Sequence, residues 1–474
     1  MLTQMQLYKI NDHILPICIW TCIASLPINS NLVDVIFWLL LLSFLLNAQR
    51  WEVLRENKVF LILMIQYPLL NIIFLFLGAS DHEIMMSVGE YDMWIYSILG
   101  IILTTTFFDN MTTRRYAVLF LPFSVILTLA YAAYSFHILG DPKVKLSNTM
   151  VFHAPLLVTT IAFIVFGVLK VNKLASAAFA SLLIGSTIIL STAYAGTRGI
   201  FIAQLVSLSS ASLLLLFLRK YALSAVLIIS TASSSLVGLW LDSQINGSFI
   251  MRLSVISKLS DEYRTTLFSL ISTIFLVSLF SYYLLRSRLY FRSDPKSVWQ
   301  LFTAVTFILA VLVTSGFSIS DLHSSIVHTI SDAAKSASAY DTSTSHRLQF
   351  LEAGLSALKG QFLFGLGTNV EAHLAQTAMD GSWHYHLHNN YLSWLIWGGF
   401  IMLASGLIWL FAPSVLIGTN SDTRMSMTCA MIAIFWSTSL LFDSFFAWKN
   451  FTYVYIVLIC LGYQISRSRV ENAN

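Results

Sequence analysis

The sequence predicts an all-α, polytopic integral membrane protein with 12 to 14 transmembrane helices and one long outer loop, and three observations predict it. First, 57% of the 474 residues are apolar and only 11% are charged, whereas a soluble domain averages about 25% charged residues. So few charges cannot cover a water-facing surface, and a mean hydropathy of +0.75 makes lipid the solvent for most of the chain. Second, the apolar stretches are continuous, near the roughly 17 to 25 residues that cross a bilayer as a helix. They lack the alternation of a membrane β-strand. Third, Lys and Arg collect in alternate loops.

Taken in order, the candidate spans fall at 13–28, 32–48, 59–78, 93–109, 116–137, 151–169, 174–195, 200–218, 221–241, 265–285, 300–319, 390–411, 426–446 and 451–466. The first follows a single basic residue, Lys9, and ends in Ser25-Leu26-Pro27 rather than an Ala-x-Ala-like cleavage site, so it reads as a retained helix. This divides the chain into N-terminal helices over 1–319, an outer loop over 320–389 and C-terminal helices over 390–474.

Seventeen of the 27 basic residues lie in one set of loops: Lys9, Arg50, Arg55, Lys58, Arg114, Arg115, Lys170, Lys173, Arg219, Lys220, Arg286, Arg288, Arg292, Lys296, Arg424, Arg467 and Arg469. The opposite set includes the acidic stretch from Asp81 to Asp92, which has no Lys or Arg. By the positive-inside rule both termini are cytoplasmic. The turn at Gly196-Thr197-Arg198-Gly199, the loop 242–264 and the loop 320–389 then lie outside.

Net charge is +4, with no clustered basic surface of the kind a nucleic-acid partner needs. Cys18, Cys22, Cys429 and Cys460 all fall in apolar segments, which suits small packing residues better than a metal site or a disulfide framework.

Long outer loops without a span are commonly functional. In this one, Ser345 to Lys359 carries Leu348, Phe350, Leu355 and Leu358 at helical spacing, with Ser345 as a candidate cap and Arg347 in the first turn. The loop ends in His384-Tyr385-His386-Leu387-His388-Asn389 at the start of a span, with Trp394 and Trp397 marking the interface. His384, His386 and His388 alternate, which admits zinc, but zinc wants three or four converging ligands and no Cys lies near. A histidine at a helix mouth also suits a general base near neutral pH. Arg198, flanked by glycines that permit close approach, is either a headgroup anchor or a planar cation aimed at a phosphate. Arg347 is either solvated surface or a second such cation. Asp443, in the apolar stretch Leu440–Phe446, needs a partner or a role.

Three groups of residues resemble the O-antigen ligase and O-antigen polymerase superfamily of bacterial envelope glycosyltransferases. They are Thr197-Arg198-Gly199 opening a helix; Arg347-Leu348-x-Phe350-x-x-Ala353 followed by Phe364-Gly365-Leu366-Gly367; and His386-x-His388-Asn389-x-x-Leu392 with Gly398-Gly399 beyond it. They span about 200 residues in the family's order. In ligases, nine residues after His-Asn comes Gly, then two residues, then Gly, Thr or Tyr. Gly399 keeps the first of these positions and Met402 departs from the second.

The resemblance implies a GT-C-like enzyme of the bacterial inner membrane, with an active site facing the periplasm. The donor would be a glycan on undecaprenyl pyrophosphate. The acceptor would be lipid A–core for a ligase, or a second lipid-linked repeat unit for a polymerase. No metal or cofactor is implied. In this reading Arg198 and Arg347 bind the pyrophosphate and offset its developing charge. His388 deprotonates the acceptor hydroxyl, with inversion at the anomeric carbon. His386 and Asn389 position it, and Asp443 assists. Two other classes remain open on the residues alone: a transporter of lipid-linked glycan, although matching inverted halves are not evident, and a membrane scaffold, which has no use for Arg198 or Arg347.

Overall fold

The computed structural model describes residues 13–29, 32–47, 49–78, 84–109, 111–137, 153–168, 174–195, 197–217, 220–245, 327–328, 330–331, 342–378, 386–420, 423–443, 446 and 449–471. Among them every regular element is helical. In chain order these are α1 (Leu15–Ser25), α2 (Leu32–Leu46), α3 (Arg50–Glu56), α4 (Lys58–Gly78), α5 (Ile84–Asp109), α6 (Met111–His137), α7 (His153–Val168) and α8 (Leu174–Ile189). A wide π-turn, Leu190–Tyr194, follows α8. Then come α9 (Arg198–Phe217), α10 (Tyr221–Ile245), α11 (Thr342–Ala357), α12 (Thr368–Ala378), α13 (Asn390–Asn420), α14 (Thr423–Ser439) and α15 (Lys449–Glu471).

The architecture is that of a polytopic membrane protein. Lys58–Leu75, Tyr221–Gln244 and Asn390–Phe411 are long and apolar enough to cross a bilayer, the bent pair α2 and α3 makes up to a fourth, and eight shorter apolar helices accompany them among the described residues. The expected spans at 265–285 and 300–319 lie outside the described residues, as do most of the loop 242–264 and the first part of the loop 320–389. The acidic stretch read as a loop to Asp92 is helical from Ile84, because α5 extends past its apolar part. The outer helix starts at Thr342, not at a Ser345 cap, and Ser345 is buried inside its first turns.

Polar side chains tie the apolar bundle together, as expected where lipid offers no hydrophobic drive between helices. Gln66 on α4 and Ser405 on α13 exchange two bonds: Ser405 Oγ donates to Gln66 Oε1 (2.6 Å) and Gln66 Nε2 donates to the Ser405 carbonyl (3.0 Å). Ser207 on α9 donates to the Met431 carbonyl on α14 (2.8 Å). The bundle has two chemically different ends. At one, Phe60 stacks on Tyr463 and Gln464 donates to Asn57, beside the Arg50–Lys58 stretch. α15 then runs about 22 Å from there to its start near Phe446, where the candidate site lies.

The departure from expectation that matters most is in α13. The stretch Asn390–Phe411 passes as one span by length and composition, yet the helix is broken inside it. Gly398 (φ −154°, ψ 26°) and Gly399 (φ 63°, ψ −151°) leave helical geometry. In a straight helix residues 394 and 406 would stand about 18 Å apart. Here a Cβ on Gly406 would sit 2.7 Å from the Trp394 ring. The chain therefore turns sharply at the glycine pair, and the first eight residues, 390–397, form a half-helix folded back over the remainder. Its floor is aromatic: Trp394 Nε1 donates to Tyr67 Oη (2.7 Å), Tyr67 stacks on Trp409 at 4.7 Å, and Phe446 stacks on Trp436 at 5.3 Å.

Candidate active site

The site is built where the half-helix begins. Its cap is Asn389, whose carbonyl accepts the first intrahelical bond from the Ser393 amide (3.0 Å) and whose Oδ1 accepts the Leu392 amide (3.1 Å), an N–H group otherwise orphaned at the helix start. The same Asn389 donates from Nδ2 to the Leu441 carbonyl (3.2 Å). Asn390 completes a strap: its amide donates to the Leu440 carbonyl (2.9 Å) and its Oδ1 accepts the Phe446 amide (2.9 Å). Two unwound segments, 386–389 before the half-helix and 440–443 after α14, thereby hold each other in register.

That register sets His388 against Asp443. His388 Nδ1 lies 2.9 Å from Asp443 Oδ1. A carboxylate accepts, so Nδ1–H donates, and in that tautomer Nε2 is the unprotonated, basic nitrogen of the ring. The imidazole is about a third exposed (31%) and the carboxylate less so (14%). Phe350 on α11 covers the ring at 5.7 Å between centroids. His388 also has φ 51°, the one positive φ outside glycine among the described residues. That conformation costs about 1–2 kcal/mol for a residue with a Cβ, so the surrounding bonds must hold it.

Arg347 reaches this place through α11. Arg347, Phe350 and Gly354 fall at i, i+3 and i+7, on one helix face. Phe350 touches the His388 ring, and a Cβ on Gly354 would meet Leu392 at 2.6 Å and Leu387 at 3.0 Å. That face is therefore pressed on the histidine segment, and Arg347 is half-buried at its N-terminal end.

Arg198 arrives from the other side. The π-turn closes with the Ala195 amide on the Leu190 carbonyl (2.9 Å) and the Thr197 amide on the Ser191 carbonyl (2.8 Å), and Thr197 opens α9 by accepting the Phe201 amide (3.0 Å). Gly199 is needed because a Cβ there would lie 2.6 Å from the Phe442 side chain, beside Asp443. The start of α9 thus abuts the Leu440–Asp443 turn, and half-buried Arg198 stands at that contact.

The segment after α11 docks into the α13 break. Leu366 and Gly367 amides donate to the Ile396 carbonyl (2.6 and 3.1 Å), and the Phe400 amide donates to the Phe362 carbonyl (2.8 Å). Gly365 (φ 70°) and Gly399 (φ 63°) are the meeting points. A Cβ on Gly365 would lie 2.5 Å from the Ile396 carbonyl oxygen, and one on Gly399 would lie 2.3 Å from Leu363 backbone. The glycines of the two motifs are complementary surfaces of one backbone contact.

An O-antigen ligase family model matches residues 253–405, about a third of the chain. Over that segment the chain is similar to the O-antigen ligase family, which supports the resemblance read from the sequence. No curated protein matches the chain. Within the matched segment lie Arg347, the docking loop 362–367, His386, His388, Asn389 and the Gly398–Gly399 break; Arg198 and Asp443 lie outside it. Of the residues singled out in the sequence, the structure gathers His388, Asn389 and Asp443 directly, and brings the elements bearing Arg198 and Arg347 against them. His384 and Gly196 lie outside the described residues. His386 turns elsewhere: its Nδ1 is 3.9 Å from Glu371 Oε1, so the two imidazoles face different carboxylates rather than a common point.

Glu371 is the functional candidate that sequence reasoning missed. Its carboxylate is 3% exposed and accepts the Leu387 amide (3.0 Å), Ser393 Oγ (2.7 Å) and Trp397 Nε1 (2.6 Å). The signal was present but small. Glu371 is in helical phase with Leu374, Ala375 and Ala378, which puts an acid on the buried face of α12.

Proposed function

We propose that the chain is an O-antigen ligase that transfers a polysaccharide from undecaprenyl pyrophosphate to lipid A–core, inverting the anomeric carbon without a metal. The observation that carries this reading is the His388–Asp443 pair at the capped start of a half-helix, with α9 and α11, the helices that bear Arg198 and Arg347, packed beside it. Asp443 holds the Nδ1 proton and orients the ring, so Nε2 takes the proton of the acceptor hydroxyl as the new glycosidic bond forms. The pyrophosphate is already a good leaving group, and it departs as an anion. Arg198 and Arg347 bind it and offset the charge that grows on the bridging oxygen. His386 and Asn389 shape the histidine segment. The positive-inside pattern turns the site to the periplasm of a bacterial inner membrane and leaves both termini in the cytoplasm.

Met402 stands where ligases carry Gly, Thr or Tyr, and it favours a second reading: a polymerase that joins lipid-linked repeat units. One reconstitution separates the readings. Purified protein in vesicles receives undecaprenyl-pyrophosphate-linked polysaccharide and lipid A–core, with chelator present and no energy source. Ligation yields higher-mass lipopolysaccharide. Polymerisation yields longer lipid-linked chains and bare core. Movement of the donor across the bilayer with no covalent product overturns both in favour of a transporter.

A further inference from the structure

Glu371 lies outside the mechanism so far, although a carboxylate is expensive to bury beside a membrane bundle unless every lone pair is used. Its three donors are spread along the chain. Leu387 immediately precedes His388, Ser393 is in the middle of the half-helix, and Trp397 is its last residue before the Gly398–Gly399 turn. One side chain on α12 therefore fastens the half-helix at its mouth, middle and bend. The Leu387 bond bears on chemistry directly. It fixes the peptide leading into His388, the residue held at φ 51°. An imidazole aimed by a left-handed residue moves as a lever when the preceding peptide rotates.

We infer that Glu371 is a positioning residue for His388: its carboxylate holds the Leu387–His388 peptide, and with it the imidazole, in the geometry from which Nε2 reaches the acceptor hydroxyl. This rests on the reading of His388 as the base. A carboxylate suits the place and an amide does not. The peptide N–H and the indole N–H can only donate, and they fall on different oxygens of Glu371. A Gln has one acceptor oxygen, so whichever way it turns, its NH2 group faces one of those N–H donors.

The test is Glu371→Gln in purified protein, assayed with undecaprenyl-pyrophosphate-linked glycan and lipid A–core. A displacement on the order of 1 Å at a reacting group costs about 10²-fold in rate, so kcat falls by about that factor. The donor KM stays within about twofold, since the arginines that bind pyrophosphate are untouched, and the thermal midpoint moves by only a few degrees. Trp397→Phe removes the arm farthest from His388 and lowers kcat far less. Glu371→Asp, which keeps the charge and both oxygens, recovers part of the lost kcat. Wild-type kcat in Glu371→Gln, or a loss that only tracks the fraction of folded protein, overturns the proposal. His388→Ala runs alongside. If it is inactive while Glu371→Gln is fully active, only the positioning role is lost. If His388→Ala keeps full activity, the assignment of the base fails, and the positioning role with it.

Discussion

The π-turn at Leu190–Tyr194 and the break at Gly398–Gly399 both interrupt regular helix beside the candidate site, and they are held open by different means. The first is stapled from inside the bundle. Ser191 Oγ donates to Gln204 Oε1 (2.6 Å), and Gln204 Nε2 donates to Thr159 Oγ1 (2.8 Å) and the Thr187 carbonyl (3.1 Å). This is a neutral side-chain network among α7, α8 and α9, and it presents Arg198, a fixed charge on a long flexible stem. The second is held by backbone fitted to backbone at two positive-φ glycines and by one buried carboxylate, and it presents His388. A cation that offsets phosphate charge tolerates small displacements, because Coulomb energy falls only as the inverse of distance. A base must stand within hydrogen-bond reach of one proton. On the proposed roles, the more rigid device stands under the group with the tighter geometric demand.

This contrast is broken most severely at Gly399. Gly399→Val forces a β-branched residue into positive φ and onto Leu363 backbone, where the conformational cost alone is about 1–3 kcal/mol. The docking loop should detach and the yield of folded protein in membranes should collapse; normal yield and thermal midpoint would contradict the backbone fit. Asp443→Asn comes next. With the carboxylate gone, the imidazole loses its fixed tautomer, and kcat should fall by about 10² within the roughly 10²–10⁴-fold range of a positioned base, with the folded fraction unchanged. Unaltered kcat would reduce the 2.9 Å bond to a structural contact. Arg347→Ala should raise the donor KM by about tenfold or more, since a charge-assisted pair contributes about 1.5–3 kcal/mol, and Arg347→Lys should restore only part of it. A donor KM equal to wild type in Arg347→Ala removes that arginine from the phosphate site. The smallest effect falls on the other break. Gln204→Leu should cost about 1 kcal/mol of stability, the scale of a hydrogen bond between membrane helices, with turnover changed only a few-fold. A loss as deep as that of Asp443→Asn would mean the π-turn is as demanding as the histidine segment.

Much of this was legible in the sequence because it depends on composition. Continuous apolar runs located the helices of α4, α7, α10 and α15 within a few residues, since lipid rewards length and hydropathy alone. The residues His388, Asn389, Arg198, Arg347 and Asp443 were legible because polar chemistry stands out in an apolar chain. The folding-back of α13 was not, because apolar residues on both sides of Gly398–Gly399 satisfy the same length rule whether the helix runs straight or turns. Glycine in a span signals close approach without saying what approaches, and here it is Leu363 backbone from the outer segment. Asp443 read as an unassigned buried acid because its partner lies 55 residues away. Glu371 was hidden for a similar reason: three donors at separations of 16, 22 and 26 residues leave no local pattern.

The most direct test is His388→Ala in the reconstituted transfer assay, with thermal stability measured on the same preparation. The substitution removes the imidazole, which is partly exposed, so the fold should persist. The expected result is a folded protein that still binds undecaprenyl-pyrophosphate-linked glycan and forms no detectable lipopolysaccharide product. A folded His388→Ala protein that transfers glycan at the wild-type rate would contradict the assignment of His388 as the base.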